Sequence, residues 1–271
     1  MPRERRRTPW GLILLLLGYI LFAPVFVLGP LAGLLLVSRP ASLREIWWLA
    51  GSAALVIVAQ EQALQHLQRV RRSLIIPFPV RERRVDGPAA RAALGLQADA
   101  VVTLVMGGSQ GSATLNREAP TAFASLAERY PALTVLHSAG HGNSAAVRVQ
   151  QGLAERYHVV DFLDAATAWA AADLAITRAG IGTLSEAAFH GVPLIMIPLP
   201  SSAEDHQLHN ARAVAKAGAG VVVEESDLAL LVSAWEGLLD PAGRRAAAAA
   251  AAGRTPVGAA RRILEAVMEL T

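Results

Sequence analysis

Residues 175–211 read AITRAGIGTLSEAAFHGVPLIMIPLPSSAEDHQLHNA, where glycine turns, one carboxylate and a run of amides and histidines fall between short apolar runs. The apolar pair Ala175 and Ile176 stops at Thr177, Arg178, Ala179 and Gly180, and Gly182, Thr183 and the helix-compatible LSEAAFHG follow. Strand, glycine turn and helix start come in that order, and a second apolar run at 193–198 closes a βαβ unit. The first helical turn, at Ile181, Gly182 and Thr183, offers backbone N–H groups and the positive end of the helix dipole to an anion such as a diphosphate. The same glycines also suit a plain tight turn. Glu186 lies one turn further on, where a carboxylate can accept from two vicinal ribose hydroxyls; a solvated helix residue is the other reading. His206, Gln207 and Asn210 carry donors and acceptors for sugar hydroxyls, or form a polar loop with Asp205 as the N-cap of the next helix.

A second glycine turn, GGSQGS at 107–112, follows the apolar run 101–106 and carries the polar side chains Ser109 and Gln110. Its glycines let the backbone approach a phosphate or a sugar, although a simple βα turn needs them too. It lacks the Lys-Ser/Thr of a P-loop and the spacing of the dinucleotide fingerprint. No G-x-S-x-G elbow is present, which argues against a serine hydrolase. The chain has no cysteine and seven scattered histidines without metal-ligand spacing, so we expect no metal site.

These turns need strands and helices behind them. Apolar runs at 101–106, 133–137, 159–160, 175–176, 193–198 and 220–223 alternate with helical patterns at 115–130, 145–155, 165–171, 184–191, 210–217 and 228–239. The alternation predicts an α/β domain, a Rossmann-like doubly wound parallel sheet whose site lies beyond the carboxyl ends of its strands. Alanines 246–252 favour helix, and 257–270 has apolar residues at helical spacing.

The first third differs. Residues 10–37 hold no charge and exceed the roughly 20 residues that span a bilayer. Residues 46–63 form a second, shorter apolar element with Trp47 and Trp48 near its start, fit for a span or an interfacial helix. We expect a transmembrane helical hairpin in an anchor at 1–72, with both arginine clusters (Arg3, Arg5, Arg6 and Arg7; Arg69, Arg71 and Arg72) on the cytoplasmic side. The α/β domain is expected at 73–271, facing the cytoplasm. No aromatic residues interleave with the arginines, which argues against nucleic acid as a partner.

In order, PVR (Pro79 to Arg81), GGSQG with Asn116 after it, HSAG (His137 to Gly140), DFLD, TRAG, the T-x-x-E of Thr183 to Glu186, GVPLIMIPLP and DHQLHNA resemble the motif series of the MurG family. These are inverting GT-B glycosyltransferases that move GlcNAc from UDP-GlcNAc to undecaprenyl-diphosphate-MurNAc-pentapeptide in peptidoglycan synthesis. The resemblance runs from about Pro77 to the end and covers the donor-binding, C-terminal half. It implies that Arg81 and Ser109 hold the diphosphate or sugar. The Leu163 backbone would read the uracil edge, and Ile181, Gly182 and Thr183 would hold the phosphates. Glu186 would take the ribose, and His206 and Gln207 the GlcNAc. Gln110 and Arg178 join the same donor-binding set. Helix dipole and arginine would balance the leaving UDP, with no cofactor or metal. The DFLD segment is shorter than the family's, and the acceptor domain that would bring the catalytic base has no counterpart in the resemblance, so the catalytic residues are unassigned.

The expected function is a membrane-anchored GlcNAc transferase acting on a lipid-linked acceptor, with a separate acceptor-domain subunit as a possible partner. A non-catalytic UDP-sugar-binding membrane protein and the donor subunit of a split glycolipid glycosyltransferase are the alternatives. The sequence leaves the sugar and the acceptor lipid open.

Overall fold

The computed structural model describes residues 26–29, 33–36, 55–59, 72–200, 202 and 205–269. The chain divides into two compact units, residues 1–78 with 258–271, and residues 79–257.

The first unit contains β1 (Phe26–Gly29), β2 (Gly33–Leu36), β3 (Leu55–Val58) and β4 (Ser73–Ile75), in the sheet order β2-β1-β3-β4. β1 pairs antiparallel with β2 and β3, and β3 pairs parallel with β4. This corrects the helices expected at 10–37 and 46–63 wherever those segments are described. An apolar run fits a strand covered on both faces as well as it fits a helix, and here length was a poor arbiter. Leu55, Val56, Ile57 and Val58 are β-branched but for the first, and all four are buried. Gly29 and Gly33 weaken a helix through the first segment. Among the described residues no helix is long and apolar enough to cross a membrane. The rest of both expected helices lies outside the described residues.

The second unit runs α1 (Gly87–Ala93), β5 (Val101–Met106), α2 (Ala113–Leu126), β6 (Leu133–Ser138), β7 (Tyr157–Val160), α3 (Ala165–Ala171), β8 (Leu174–Thr177), α4 (Ile181–His190), β9 (Leu194–Met196), α5 (His206–Lys216), β10 (Gly220–Val222), α6 (Leu231–Leu239) and α7 (Pro241–Ala252). A last helix, α8 (Ala259–Met268), belongs to the first unit, where Ala259 and Ala266 pack with Leu55, Ile57 and Ile76.

The six strands β5 to β10 form one parallel sheet in the order β10-β9-β8-β5-β6-β7. This is the doubly wound arrangement expected from the alternation of strands and helices. The chain leaves β5 toward one edge and returns at β8 to build toward the other, so the crevice above β5 and β8 is the switch point. Register sets the loops level, because Val160 faces Ser138, Ser138 faces Met106, Met106 faces Thr177, Thr177 faces Met196 and Met196 faces Val222.

Side chains alternate across the sheet and fill two cores. Val105, Ile176 and Ile195 face Phe123 and Leu126 of α2 and Trp235 of α6, whereas Leu104, Ala175 and Met196 face Trp169 of α3, Leu184 of α4 and Val214 of α5. Asp86, Ser112 and Asp164 cap α1, α2 and α3 by accepting from Ala89, Leu115 and Thr167 N–H.

Two local expectations fail. Residues 145–155 make a single 3-10 turn, Ser144–Ala146, followed by irregular chain. Val147, Val149 and Leu153 reach the core at a spacing no helix face provides, and Gly152 sits at φ +84°. Helix α5 begins at His206 rather than at 210, and Asp205 precedes it in the left-handed region (φ 53°) with no side-chain cap hydrogen bond. His206 and Gln207 are thus the first turn of a helix and not a loop.

Trp235 and Thr103 are fully buried, and the indole N–H donates to Thr103 Oγ1 at 3.0 Å. Thr103→Val keeps the volume and leaves that N–H buried without an acceptor. A loss of about 1–3 kcal/mol is expected in denaturant unfolding.

Candidate functional site

Three features meet at the carboxyl ends of β5 and β8: the start of α4, the turn 107–112 and the start of α5. Helix α4 is capped by Gly180, which has no side chain to give, and the cap makes no side-chain hydrogen bond. No described residue accepts from the N–H groups of Ile181, Gly182 or Thr183. A Cβ on Gly180 would meet nothing within 4 Å, so the space before the helix is open.

The loop ahead of α4 is clamped from α5. Gln207 Oε1 accepts from Ala179 N–H (3.2 Å) and Leu199 N–H (3.1 Å), and Asn210 Nδ2 donates to Ala179 O (3.4 Å). Both side chains are buried, and both polar atoms of the Ala179 peptide are thereby held. Two donors to Oε1 also fix the amide's orientation, so that the Gln207 NH2 points away with its hydrogens unspent on described residues. His206 is half-buried beside it.

Glu186 is half-buried on α4, and its Oε2 accepts the indole N–H of the buried Trp169 at 3.1 Å. Burial raises its pKa above the ordinary glutamate value, and the Trp169 hydrogen bond opposes that rise. The carboxylate is oriented, yet underprovided with partners for its charge. Perturbed carboxylates of this kind mark sites more often than surfaces.

Arg178 is held by groups of the protein itself. Its guanidinium donates to the carbonyls of Ile197 (3.1 Å) and Pro198 (3.3 Å) and pairs with Glu225 at 2.6 Å. Glu225 in turn accepts from Thr114 Oγ1 at 2.8 Å. Burial would raise the Glu225 pKa, but the hydrogen bonds from Thr114 and Arg178 and the arginine's charge outweigh it and hold it below the usual value. Arg178 thus ties the loops after β8, β9 and β10 to α2 and has its charge met inside the protein.

Ser109 and Gln110 are exposed on the turn above β5, between Gly108 (φ +86°) and Gly111 (φ +72°). Neither side chain has a hydrogen-bond partner among the described residues, whereas Gln110 O accepts from Asn143 Nδ2 at 3.3 Å. Arg81 is exposed on an extended segment, close enough to Asp164 to help lower that carboxylate's pKa; the larger causes there are its hydrogen bonds from Thr167, and Arg83 pairs with it at 3.2 Å. Leu163 is half-buried in the DFLD loop, directly before Asp164. The structure therefore gathers Ile181, Gly182, Thr183, Glu186 and Gln207 around the open helix start. It sets Ser109 and Gln110 on the neighbouring turn and leaves Arg81 and Leu163 on the side of β7. Among the described residues no group of three or more His, Asp or Glu could hold a metal.

Trp169 and Glu225 were absent from the expected donor-binding set, and Asn210 was read only as a candidate sugar contact. The indole of Trp169 reads from sequence only as an apolar core residue. Asn210 was legible as a polar residue of the same stretch, but its hold on Ala179 crosses 31 residues.

A six-stranded doubly wound sheet with a glycine-bounded helix start at its switch point places this unit among the Rossmann-like α/β domains. The chain belongs to glycosyltransferase family 28, whose C-terminal domain matches residues 102–263. A UDP-N-acetylglucosamine--N-acetylmuramyl-(pentapeptide) pyrophosphoryl-undecaprenol N-acetylglucosamine transferase of Deinococcus deserti is 42% identical over 217 residues, covering 70% of this chain and 56% of the relative. The enzyme of the same name in Burkholderia vietnamiensis is 36% identical over 247 residues, covering 85% of this chain and 63% of the relative. That coverage is too long to begin after residue 63, so the similarity reaches back through the second apolar segment. The fold is shared with the crystal structure of MurG from Acinetobacter baumannii, at a TM-score of 0.60 and 23% identity over 78% of this chain and 64% of that one. The likeness to the MurG family in the C-terminal half is thereby shown, and the chain spans somewhat over half the length of these relatives.

Because Glu186 binds protons more readily folded than unfolded, its contribution to stability is present below its unfolded pKa and is lost as pH rises through the folded value. Glu186→Gln keeps an acceptor for Trp169 and removes the charge. We expect its denaturation midpoint to exceed the parent's at pH 8, with the difference shrinking toward zero at pH 4.

Proposed function

We propose that the α/β unit holds UDP-GlcNAc as the donor of a GlcNAc transfer to a lipid-linked acceptor, undecaprenyl-diphosphate-MurNAc-pentapeptide, at the cytoplasmic face of the membrane. The observation that carries this reading is the uncapped start of α4, with a carboxylate oriented by Trp169 one turn into the same helix. The family membership and the names of the relatives agree with it.

In this reading the diphosphate lies against the N–H groups of Ile181, Gly182 and Thr183, which need not reorganise as charge develops there. Glu186 accepts from the two ribose hydroxyls, and the Leu163 backbone meets the uracil. The unspent NH2 of Gln207 and the neighbouring His206 donate to GlcNAc hydroxyls, while Ser109, Gln110 and Arg81 close over the diphosphate and sugar. The acceptor hydroxyl attacks the anomeric carbon, the bond from that carbon to the diphosphate oxygen breaks, and the electron pair leaves with UDP. The hydroxyl proton goes to a base, which we assign to an acceptor-binding part contributed by a separate subunit. The arginine clusters at 3–7 and 69–72 support attachment to an anionic membrane surface beside the lipid acceptor.

Calorimetry with UDP-GlcNAc and transfer of radiolabelled GlcNAc to the lipid acceptor, by the full chain alone and with partners co-purified from membranes, test the reading. Binding and transfer are expected, and Glu186→Ala should weaken binding at least tenfold, about the effect of losing hydrogen bonds to a charged acceptor. Binding without transfer in any pairing would instead identify a UDP-sugar sensor or scaffold. Absence of binding would overturn the donor site itself.

A further inference from the structure

Under the two turns above β5 and β6 runs a buried chain of hydrogen bonds that the donor reading leaves unused. Asn116 on α2 donates from Nδ2 to Ala139 O at 3.0 Å, which turns its Oδ1 toward His137 Nε2, also at 3.0 Å. An amide oxygen only accepts, so Nε2 carries the imidazole proton and Nδ1 is bare. Tyr157 on β7 lies 2.9 Å from Nδ1 and therefore donates its hydroxyl hydrogen there. The bonds run in one direction, from Tyr157 through His137 and Asn116 to the Ala139 carbonyl. His137 is fully buried and Tyr157 nearly so.

What lies at the end of this chain is the glycine turn. A Cβ on Gly111 would stand 2.0 Å from Ala139 O, and one on Gly140 would stand 2.4 Å from Gly111 N. The backbone of 107–112 thus rests directly on the carbonyl that Asn116 holds. Gly140 N–H donates to Asp161 O (3.1 Å) and Asn143 Nδ2 to Gln110 O (3.3 Å), so the rest of the contact moves with it.

We infer that Tyr157, His137 and Asn116 are positioning residues for the donor, setting through Ala139 the height and angle of the turn that carries Ser109 and Gln110 without touching the ligand. The inference rests on the donor reading above. Burial lowers the His137 pKa to about 4, which keeps the imidazole neutral and the bonds in one direction at neutral pH.

Two substitutions cut the chain at different distances from the turn. Asn116→Asp still accepts from Nε2–H but cannot donate to Ala139 O. Tyr157→Phe keeps the ring, which packs edge-on to Phe123, and removes only the donor that selects the tautomer. In the full chain, backbone amide exchange without ligand should quicken at 107–112 and 139–143 in both variants, with the centres of β5 and β6 unchanged. The Kd for UDP should rise about tenfold in Asn116→Asp, as one hydrogen bond is worth, and less in Tyr157→Phe. His137→Gln, whose amide can still donate to Asn116, should bind UDP more tightly than His137→Phe. Exchange that quickens throughout β5 to β7, or remains at parental rates in the turns, overturns the inference. So does parental UDP affinity in both variants. Should Asn116→Asp fail to fold, Tyr157→Phe decides by the same two measurements. A parent chain that binds no UDP overturns the donor reading and leaves the exchange measurement as the judge of the positioning role.

Discussion

A helix that begins at a glycine, beneath a peptide already held at both ends, has nothing of its own with which to satisfy its first N–H groups. That constraint shapes the region around α4. Gln207 and Asn210 take the N–H and the carbonyl of Ala179, so the preceding residue is spoken for. Gly180 then supplies no side-chain oxygen to the first turn. The orphan donors are left to solvent or to a ligand. The same clamp ties the first turn of α5 to two loops, because Gln207 reaches Ala179 and Leu199 together.

Two glutamates near the switch point show how environment divides roles between like side chains. Glu225 is surrounded by donors, Thr114 and Arg178, and its charge is held in place as part of the framework. Glu186 has one neutral donor and a burial cost that its partner does not offset. The first arrangement stabilises the protein as it stands. The second leaves acceptor capacity for groups from outside, which in the proposed site would be a pair of hydroxyls.

Much of this was legible in the chain. Short apolar runs ending in glycine marked β5 and β8, because a strand that stops at a turn of close backbone approach needs both features side by side. The helix expected at 165–171 is found with those bounds, whereas the one expected from 115 begins at Ala113, after a Ser112 cap that was not read. The failures share a cause in tertiary contacts. Residues 147–153 pack irregularly because the core edge, and not a helix face, receives Val147, Val149 and Leu153. Residues 55–58 are a strand because a neighbour at 73–75 pairs with them, which composition cannot reveal. The pairing of Arg178 with Glu225 was equally hidden, because the partner lies 47 positions away and carried no motif.

The loss of Arg178 to Glu225 changes how a diphosphate would be neutralised in the proposed site. An arginine whose charge is met by a carboxylate at 2.6 Å offers little further attraction to a second anion. Two other positive groups near the strand ends are the start of α4, a fixed partial charge, and the exposed guanidinium of Arg81. These differ in what they cost on binding. The helix N–H groups are already oriented, so their attraction is not diminished by ordering. An exposed arginine loses rotamer freedom when it settles on a ligand, but it can follow the ligand as the charge moves from sugar phosphate to free UDP. A rigid cradle for the ground state and a mobile cation for the departing charge would together serve a transfer in which the diphosphate is first a substituent and then a leaving group.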